Sequence, residues 1–513
     1  MHDRSQRARS QPRLAWPLLA ATALSACNMA PKHVTPALST ATDYPAEVLP
    51  AGGSVPATAI GWQDYFQDPR LRELIAIALV NNRDLRVSVA RIEEARGQYR
   101  IQRANQLPQL AATGSATRRR AGIASIQSQT GGSTTVPTDG SAETPNGFTF
   151  NTYNVGVAVT SFELDFWGRV ANLSEAARSN FLSTVAAERA FRLSLIRDLA
   201  TAYLTSRSLS EQADLADRTI ASRREGLRIA KLRLDAGVTS ALDYRQAEVL
   251  VTQAETEAAS LRNQRAQQRN IVRLLVGQPI DEETLAPAST LDNQGIIRDI
   301  AAGLPSELLA NRPDILQSEE QLRAARANVG AARAAFFPSI TLTGQAGYTS
   351  SQLGNLIGPE GLGWSFGPSI SLPIFDWGAR KGDLTVARAR ETIAVATYEK
   401  TVQTAFREVA DALAGRRYLR EQIAAQVRAV TAQRTLAQLA QSRYQNGVAQ
   451  YLEVLDAQRS LFSAEQALIT LRGNELTNLV SLYAALGGGL GPPPPLRPGD
   501  AAPLAAVTPV QPR

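Results

Sequence analysis

Side chains that commonly serve catalysis or metal binding are scarce in this sequence of 513 residues, which contains one cysteine and two histidines. His2 lies in the segment expected to be removed on export, and His33 follows shortly after it, so a histidine-based triad or metal site is nearly excluded. The single cysteine excludes an internal disulfide and a CxxC motif. The glycine run Gly487–Gly489 lacks the lysine and the serine or threonine of a phosphate loop. The sequence therefore predicts a protein that is not an enzyme and that holds no cofactor or metal.

Positive charge is too thinly spread to indicate a nucleic-acid partner. The formal net charge is +7, of which four arginines and one aspartate among the first 26 residues contribute +3 and leave +4. Apart from the triplet Arg118–Arg120 the charges are interspersed, and no aromatic side chains accompany a basic patch. We expect no DNA or RNA partner.

Long apolar runs are missing as well. No segment after the N-terminus has the roughly 20 consecutive apolar residues that a membrane helix requires. Only helices and closed sheets satisfy their own backbone groups in lipid, so any crossing of a membrane is expected to be made by β-strands.

The N-terminus is typical of an export signal over residues 1–26, with a charged part at Arg4–Arg13 and a short apolar part at Leu14–Ala26. The sequence Leu24-Ser25-Ala26-Cys27 resembles a bacterial lipobox, so Cys27 is expected to carry a diacylglycerol group and an N-acyl chain. Two or three acyl chains anchor a protein stably in lipid. An aspartate after the cysteine would resemble a signal that retains lipoproteins in the inner membrane. Residue 28 is asparagine instead, which favours the outer membrane. The alternative is an ordinary secretory signal with an incidental cysteine.

Two halves of the sequence repeat each other, first at an offset of 230 residues and then at 210. The first offset matches Ala95-Arg96 with Ala325-Arg326, Arg103-Ala104 with Arg333-Ala334, Pro108 with Pro338, and Thr113-Gly114 with Thr343-Gly344. The second offset matches Asp165–Arg169 with Phe375–Arg380 and Gly237-Val238 with Gly447-Val448. The offset changes because the first half holds 20 extra residues between the proline and the Trp-Gly pair. That interval is rich in Gly, Ser, Thr and Pro from Ala121 to Gly147, which predicts a long exposed loop.

Each half has the same order of patterns. A helix-period tract, Leu71–Gln106 or Pro313–Ala335, ends just before a proline. Two strand-like runs follow, and in the second half apolar side chains at even positions alternate with small or polar ones at odd positions over Ser339–Tyr348 and Trp364–Leu372. This alternation is typical of outer-membrane barrel strands, with a half-buried soluble hairpin as the alternative.

Very long helical tracts follow each Trp-Gly pair. The tract Val170–Asp235 would extend about 100 Å at 1.5 Å per residue. Gly237 and Gly447 then interrupt the helix, and a new run begins with apolar residues spaced four, three, four and three apart, as in a coiled-coil seam. The seam residues are Ala247, Val251, Ala254, Ala258 and Leu261 in the first half and Ala457, Leu461, Ala464, Leu468 and Leu471 in the second. A filament-like coiled coil is the alternative interpretation.

These patterns divide the chain into five predicted segments. They are a signal at 1–26, a lipidated tether at 27–61, a first repeat at 62–285, a second repeat at 286–490 and a disordered proline-rich tail at 491–513.

The sequence resembles the TolC/OprM-type outer-membrane efflux factors, in particular the lipoprotein (NodT-like) branch that serves resistance-nodulation-division pumps. The most specific stretches are Gly61–Phe66, Asp68–Leu71, Asn311–Ile315, Phe337–Ile340, Leu372–Gly378 and Tyr444–Gln458. The resemblance implies a mainly α fold with a β-barrel part, in which a homotrimer with four strands per chain closes one 12-stranded outer-membrane barrel. A long α-helical barrel would continue it through the periplasm. A four-stranded sheet cannot close alone, because unpaired edges in lipid cost several kcal/mol for each backbone group.

The resemblance also implies a gate. Glu453 and Asp456 lie three residues apart on one helix face, and in the resembled family acidic residues there lie at the periplasmic tip. Repeated by three-fold symmetry they would form carboxylate rings that favour cations. Asp243 is the matching acid in the first half, whereas Gln246 replaces the second acid. The alternative for these side chains is an ordinary solvated helix face.

The expected function is a passive conduit for small toxic compounds or drugs, anchored in the outer membrane and extending into the periplasm. An inner-membrane resistance-nodulation-division pump would load the substrate, and a periplasmic adaptor would dock on the turns and open the gate. The docking residues expected there are Gly237, Val238, Gly447 and Val448. The alternatives are an exit duct for type I protein secretion or metal-ion efflux, and a lipid-anchored periplasmic coiled-coil scaffold.

Overall fold

A computed structural model describes residues 28–36, 57–121, 148–281, 290–298, 300 and 305–488. The predicted signal, Cys27, residues 122–147 of the predicted loop and the tail from 491 lie outside the described residues. The first half contains α1 (Pro69–Asn81), α2 (Arg83–Ala104), β1 (Leu110–Ala121), β2 (Phe148–Leu164), α3 (Arg169–Asp235) and α4 (Ala241–Val276). The second half contains α5 (Pro305–Asn311), α6 (Pro313–Ala334), β3 (Ser339–Ser350), β4 (Leu362–Ser371), α7 (Ala379–Gln445) and α8 (Tyr451–Ala485). Short helical turns lie at Ala57–Ala59, Trp62–Tyr65, Leu291–Asn293, Leu353–Asn355 and Pro359–Gly361.

The two halves have matching elements. Helices α3 and α7 both contain 67 residues, α2 and α6 both contain 22, and strands β1 and β3 both contain 12. The predicted internal repeat and the mainly α fold with a smaller β part are therefore confirmed. The limits 62–285 and 286–490 stay a prediction. Among the described helices, none has both the length and the apolar character needed to cross a bilayer.

The tract predicted as one helix from Leu71 to Gln106 is broken at Asn82. The side chain of Asn82 accepts a hydrogen bond from the backbone N–H of Leu85 at 2.8 Å, so it caps the start of α2. Its amide donates to the carbonyl of Leu275 at 2.8 Å, which ties the break to the end of α4. A single capping asparagine inside a helix-period tract is a weak sequence signal, and the tertiary contact makes the break.

The chain forms two compact units. Among the described residues, the sheet unit comprises residues 28–35, 94–121, 148–181 and 320–395. The hairpin unit comprises residues 36, 57–93, 182–281, 290–298, 300, 305–319 and 396–488.

The sheet unit contains one antiparallel sheet in the order β1-β2-β3-β4. Its register places most of the large apolar side chains of the four strands on one face, where Trp364, Phe366 and Ile370 are exposed, whereas Phe150 lies on the opposite face. The other face is polar, and Asn154 there donates to Ser115 at 3.2 Å and accepts from Thr349 at 2.8 Å. The predicted alternation of the strands is confirmed.

Three glycines lie side by side across the polar face. Gly156 of β2 is opposite Gly347 of β3, which is opposite Gly363 of β4. A β carbon at Gly347 would lie only 2.4 Å from the carbonyl oxygen of Val155 and 2.6 Å from the Cα of Gly156. The backbones therefore approach too closely for any side chain, and a glycine kink of this kind lets a sheet curve.

The core of the hairpin unit explains two of the motifs that carry the family resemblance. Tyr65 and Tyr483 stack with their ring centroids 4.0 Å apart, and the Tyr65 hydroxyl donates to the carbonyl of Leu479 at 2.8 Å. Burial raises the pKa of Tyr65 far above its usual value, so this phenol stays neutral. Arg312 is buried and donates to Asp314 and Glu408 at 2.6 and 2.8 Å. These motif residues hold the core together.

The coiled-coil seams differ between the halves. All five predicted seam residues of α4 are buried. Among the predicted seam residues of α8, only Ala457 is buried, and Leu461, Ala464, Leu468 and Leu471 are half-buried. The seam is thus confirmed in the first half and only partly covered in the second.

Candidate gate at the helical hairpin turns

The two turns of the hairpin unit have the same backbone structure. Gly237 and Gly447 have φ values of 71° and 75°, a left-handed conformation that glycine adopts without strain. The N–H groups of Val238 and Val448 each donate 2.9 Å back to the carbonyl five residues earlier. This is the Schellman arrangement that ends a helix. Both turns therefore have the same hydrogen-bonded geometry, and both present a valine that is about 70% exposed, with values of 72% and 69%.

The helices that leave the two turns are capped differently. In the first turn Ser240 caps α4 and accepts from the N–H of Asp243 at 3.4 Å, and Asp243 accepts a hydrogen bond from the Thr239 hydroxyl. In the second turn Gln450 provides no side-chain cap for α8. The structure thus places Asp243 within its own turn, where it is half-buried and helps to fix the start of α4.

The two hairpins pack together beneath their turns. A cluster of small and apolar side chains joins α3, α4, α7 and α8, and we call it the tip cluster. It consists of Ala230, Ala247, Leu250, Ala437, Ala440, Tyr451, Val454, Leu455 and Ala457. Small residues let the helices approach closely, so the tip cluster connects the two hairpins of one chain.

Two tyrosines and an arginine lie at the edge of this cluster. The guanidinium of Arg233 lies 4.5 Å from the centroid of the Tyr444 ring, and Tyr444 in turn lies 5.0 Å from Tyr451. Burial raises the pKa of Tyr451 to about 12, with further contributions from Tyr444 and from the carboxylate of Asp243. The neutral Tyr451 hydroxyl lies over Gly226, where a β carbon would come within 3.2 Å of it. First-hairpin and second-hairpin residues therefore meet here.

Glu453 and Asp456 lie on α8 just after the turn and both reach solvent. Their side chains are 41% and 54% exposed, and their neighbours Val454, Leu455 and Ala457 are buried in the tip cluster. Glu453 is 3.5 Å from Arg443, and Asp456 is 2.7 Å from Arg459. Exposed ion pairs of this kind contribute about 0–1 kcal/mol, so they hold the carboxylates only weakly. Asp243 is close enough to Tyr451 of the same chain to raise its pKa. The carboxylate rings need three chains and stay a prediction.

Interhelical ion pairs above the tip cluster repeat between the halves. Arg224 of α3 pairs with Glu255 of α4 at 2.5 Å, and 210 residues later Arg434 of α7 pairs with Glu465 of α8 at 2.7 Å. The side chains are partly exposed, so each pair contributes little to stability.

A cavity of about 570 Å³ between the two hairpins contains residues that the sequence patterns did not identify. Arg223 lines it, donates to the carbonyl of Leu250 at 2.8 Å and lies 5.3 Å from the centroid of the Phe462 ring. Burial lowers the pKa of Arg223, and the positive charge of Arg459 adds to the effect. Arg223 was missed because its counterpart at the 210 offset is Gln433, so the repeat did not mark it.

Within the described ranges, no group of three or more His, Cys, Asp or Glu side chains could hold a metal ion.

Comparison with known proteins gives consistent matches. The family model "Outer membrane efflux protein" matches residues 74–278 and 304–488. The toluene efflux pump outer membrane protein TtgC of Pseudomonas putida is 41% identical over 477 residues, which are 92% of this chain and 95% of TtgC. A solved membrane protein from Pseudomonas aeruginosa is 38% identical with a TM-score of 0.82, over 90% of this chain and all of that one. The open state of the outer-membrane channel MtrE from Neisseria gonorrhoeae is 39% identical with a TM-score of 0.79, over 90% of this chain and 99% of MtrE.

Proposed function

The chain belongs to the outer membrane efflux protein family and is an outer-membrane channel of an efflux pump, and on this premise we propose that it is a passive conduit for small toxic organic compounds. The observation that carries the proposal is the sheet, with one exposed apolar face, one polar face and two open edges. An apolar face suits lipid, and a polar face suits a water-filled lumen. The name of TtgC points to solvents as one class of cargo. The chain itself catalyses no reaction and uses no energy source.

We take the functional form to be a homotrimer. Within the described residues β1 and β4 each have one edge without a strand partner, and open edges in lipid are strongly unfavourable. Three copies supply twelve strands, an even number as in bacterial single-chain barrels. The half-buried seam of α8 supports the same assembly, because a neighbouring helix would cover it.

The gate of the proposal is formed by Asp243, Glu453 and Asp456. Three copies of each side chain would form rings of carboxylates, which favour cations and narrow the pore. Arg443 and Arg459 partly neutralise two of these carboxylates within each chain. The gate therefore stays closed through the tip cluster and is loosened when the hairpins separate.

Opening is assigned to partners that dock on the turns. The exposed apolar tips at Gly237-Val238 and Gly447-Val448 offer paired, preformed surfaces for a periplasmic adaptor. An adaptor that binds separated hairpins better than closed ones would shift the population toward the open state. A resistance-nodulation-division pump in the inner membrane would supply the cargo. A lipidated Cys27, as in the NodT-like branch, would hold the N-terminus at the outer membrane.

The test is entry of vancomycin, which ordinary porins exclude, into a Gram-negative host that makes this chain without partners. Wild type should leave the host resistant, whereas Tyr451→Ala, which removes the aromatic side chain of the tip cluster, should raise susceptibility several-fold. The matched control is Tyr418→Ala, because Tyr418 is an exposed tyrosine on α7 outside the tip cluster. Equal susceptibility of both variants, with both proteins verified in the outer membrane, would contradict a conduit closed at the turns.

A further inference from the structure

Three consecutive arginines near the end of β1 are not accounted for by the conduit or its gate. Arg118, Arg119 and Arg120 are all exposed, and within the part of the chain that the structure describes none of them pairs with an acidic side chain. Strand β1 begins at Leu110, just after helix α2, so the arginines lie at the end of the sheet that is remote from the helices. In an outer-membrane channel whose helices extend into the periplasm, this end faces outward.

The alternation of the strand divides the three arginines between the two faces of the sheet. Successive side chains of a strand point to opposite faces. Arg118 and Arg120 share the apolar face with Leu110, whereas Arg119 shares the polar face with Ser115. Two positive charges therefore lie on the face that suits lipid, where a guanidinium is unfavourable in the hydrocarbon but tolerated near the interface.

The position of these two charges along the strand corresponds to the edge of a bilayer. From Leu110 to Arg118 the strand extends about 27 Å at 3.4 Å per residue, and Arg120 lies about 7 Å further. A strand tilt of about 40° reduces these lengths to heights of about 20 and 26 Å, close to the roughly 25 Å of the apolar band of a membrane barrel. Tyr153 and Tyr348 lie on the same face, nearer to the helices, as in the aromatic girdle that ends such a band. Arg118 and Arg120 thus reach the head groups of the outer leaflet.

We propose that Arg118 and Arg120 bind the phosphate groups of lipid A, the phosphorylated glycolipid of the outer leaflet. A guanidinium forms charge-assisted, bidentate hydrogen bonds with phosphate. Asn151 and Thr149 lie directly opposite the two arginines on β2 and offer further hydrogen-bonding groups on the same face. The inference rests on the membrane placement of the sheet in the proposed function and adds a specific lipid contact to it.

A membrane lipid is favoured over a soluble anion because the two arginines lie on an open, exposed strand. A free phosphate ion there would gain only contacts that salt screens. A lipid is held at the height of the arginines by its own acyl chains, so its phosphates are present at a high effective concentration. Anionic cargo inside the lumen would meet Arg119 on the polar face instead, which makes Arg119 the natural control.

The experiment measures binding of purified lipid A, carrying two phosphates, to the full chain in detergent micelles, with the bound lipid counted by native mass spectrometry. Arg118→Gln/Arg120→Gln should raise the apparent Kd about 30-fold, because each basic residue near an anionic membrane surface contributes about fivefold. The control Arg119→Gln removes a positive charge from the polar face and should leave the Kd unchanged. Arg118→Lys/Arg120→Lys keeps both charges and should retain most of the affinity.

A second comparison needs no substitution. Wild type should bind lipid A that has been stripped of its phosphates as weakly as the glutamine double variant binds the phosphorylated lipid, because the acyl chains are the same and only the phosphates are missing. Added salt should weaken the binding of phosphorylated lipid A to wild type, since exposed charges are screened.

A loss confined to the glutamine double variant and to the stripped lipid supports the phosphate site. Equal Kd values for Arg118→Gln/Arg120→Gln and Arg119→Gln, or equal binding of both lipids to wild type, overturn it. Single-channel current of the same proteins in planar bilayers separates this result from the proposed function. Current in all of them together with equal Kd values overturns the lipid site alone, whereas no current and no insertion of any of them overturns the channel and the lipid site together.

Discussion

Replacing Gly347 by alanine should weaken the sheet, although alanine is otherwise the better strand residue. The added β carbon would lie 2.4 Å from the carbonyl oxygen of Val155, about 1 Å inside an ordinary contact of 3.4 Å, and both neighbours are backbone atoms that cannot rotate away. Overpacking of this kind costs about 1–3 kcal/mol. Alanine regains about 0.5–1 kcal/mol over glycine in a strand interior. The net loss is therefore about 0–2.5 kcal/mol for each chain.

Gly363→Ala is the matched control. Gly363 lies directly opposite Gly347 on the same face, yet no atom lies within 4 Å of its would-be β carbon. This variant should gain about 0.5–1 kcal/mol. Both variants are compared with wild type by the urea concentration at which half of the protein loses its folded band in gels run without boiling. Equal midpoints, or a lower midpoint for Gly363→Ala, would refute the argument that the glycine kink between β2 and β3 is sterically required.

Two glycine-to-alanine changes, one within helix α7 and one in the turn after it, should shift the free energy of unfolding in opposite directions. Gly447→Ala forces alanine into a left-handed conformation and should cost about 1–2 kcal/mol of stability. Gly382→Ala within helix α7 should gain about 0.5–1 kcal/mol; at both positions the added β carbon would have no atom within 4 Å. Thermal unfolding followed by circular dichroism measures both, and a gain for Gly447→Ala would contradict the turn geometry. Tyr451 has a raised folded-state pKa of about 12, so its contribution to stability is complete below pH 10, the usual value, and is lost as the pH rises toward 12. Tyr451→Phe should therefore lose less stability than wild type between pH 10 and 12, and identical pH profiles would count against a buried phenol. Arg312→Leu removes a buried guanidinium that bonds to Asp314 and Glu408 and should destabilise by about 2–4 kcal/mol, measured as a lower urea midpoint.

Sequence periodicity predicted the elements well because long helices and alternating strands repeat their pattern many times. Val170–Asp235 was predicted as one helix and lies within α3, and the strand runs of the second half match β3 and β4 closely. The membership of the efflux family, predicted from motifs in both halves, is confirmed.

The sequence did not reveal features that depend on contacts between distant segments. The break at Asn82 needs the carbonyl of Leu275, and Arg223 needs both Leu250 and Phe462. Gly156 and Gly347 are required only because their strands are neighbours. The candidate gate falls between these cases, since the turns were predicted from Gly237 and Gly447, whereas the tip cluster beneath them became visible only in the folded chain.

The central claim, that this chain forms a channel closed at acidic hairpin turns, is tested most directly by single-channel conductance of the purified protein in planar bilayers. Wild type should give a small cation-selective current. Glu453→Ala/Asp456→Ala should give a larger current, because the shorter alanine side chains widen the proposed constriction, and a weaker cation selectivity, because two negative charges are removed from each chain. The control Glu248→Ala removes an equally exposed acid that pairs with Arg245 on α4 and should behave as wild type. An unchanged current in the double variant would place the gate elsewhere, and no current in any of these proteins despite verified insertion would contradict the channel and favour the lipid-anchored scaffold.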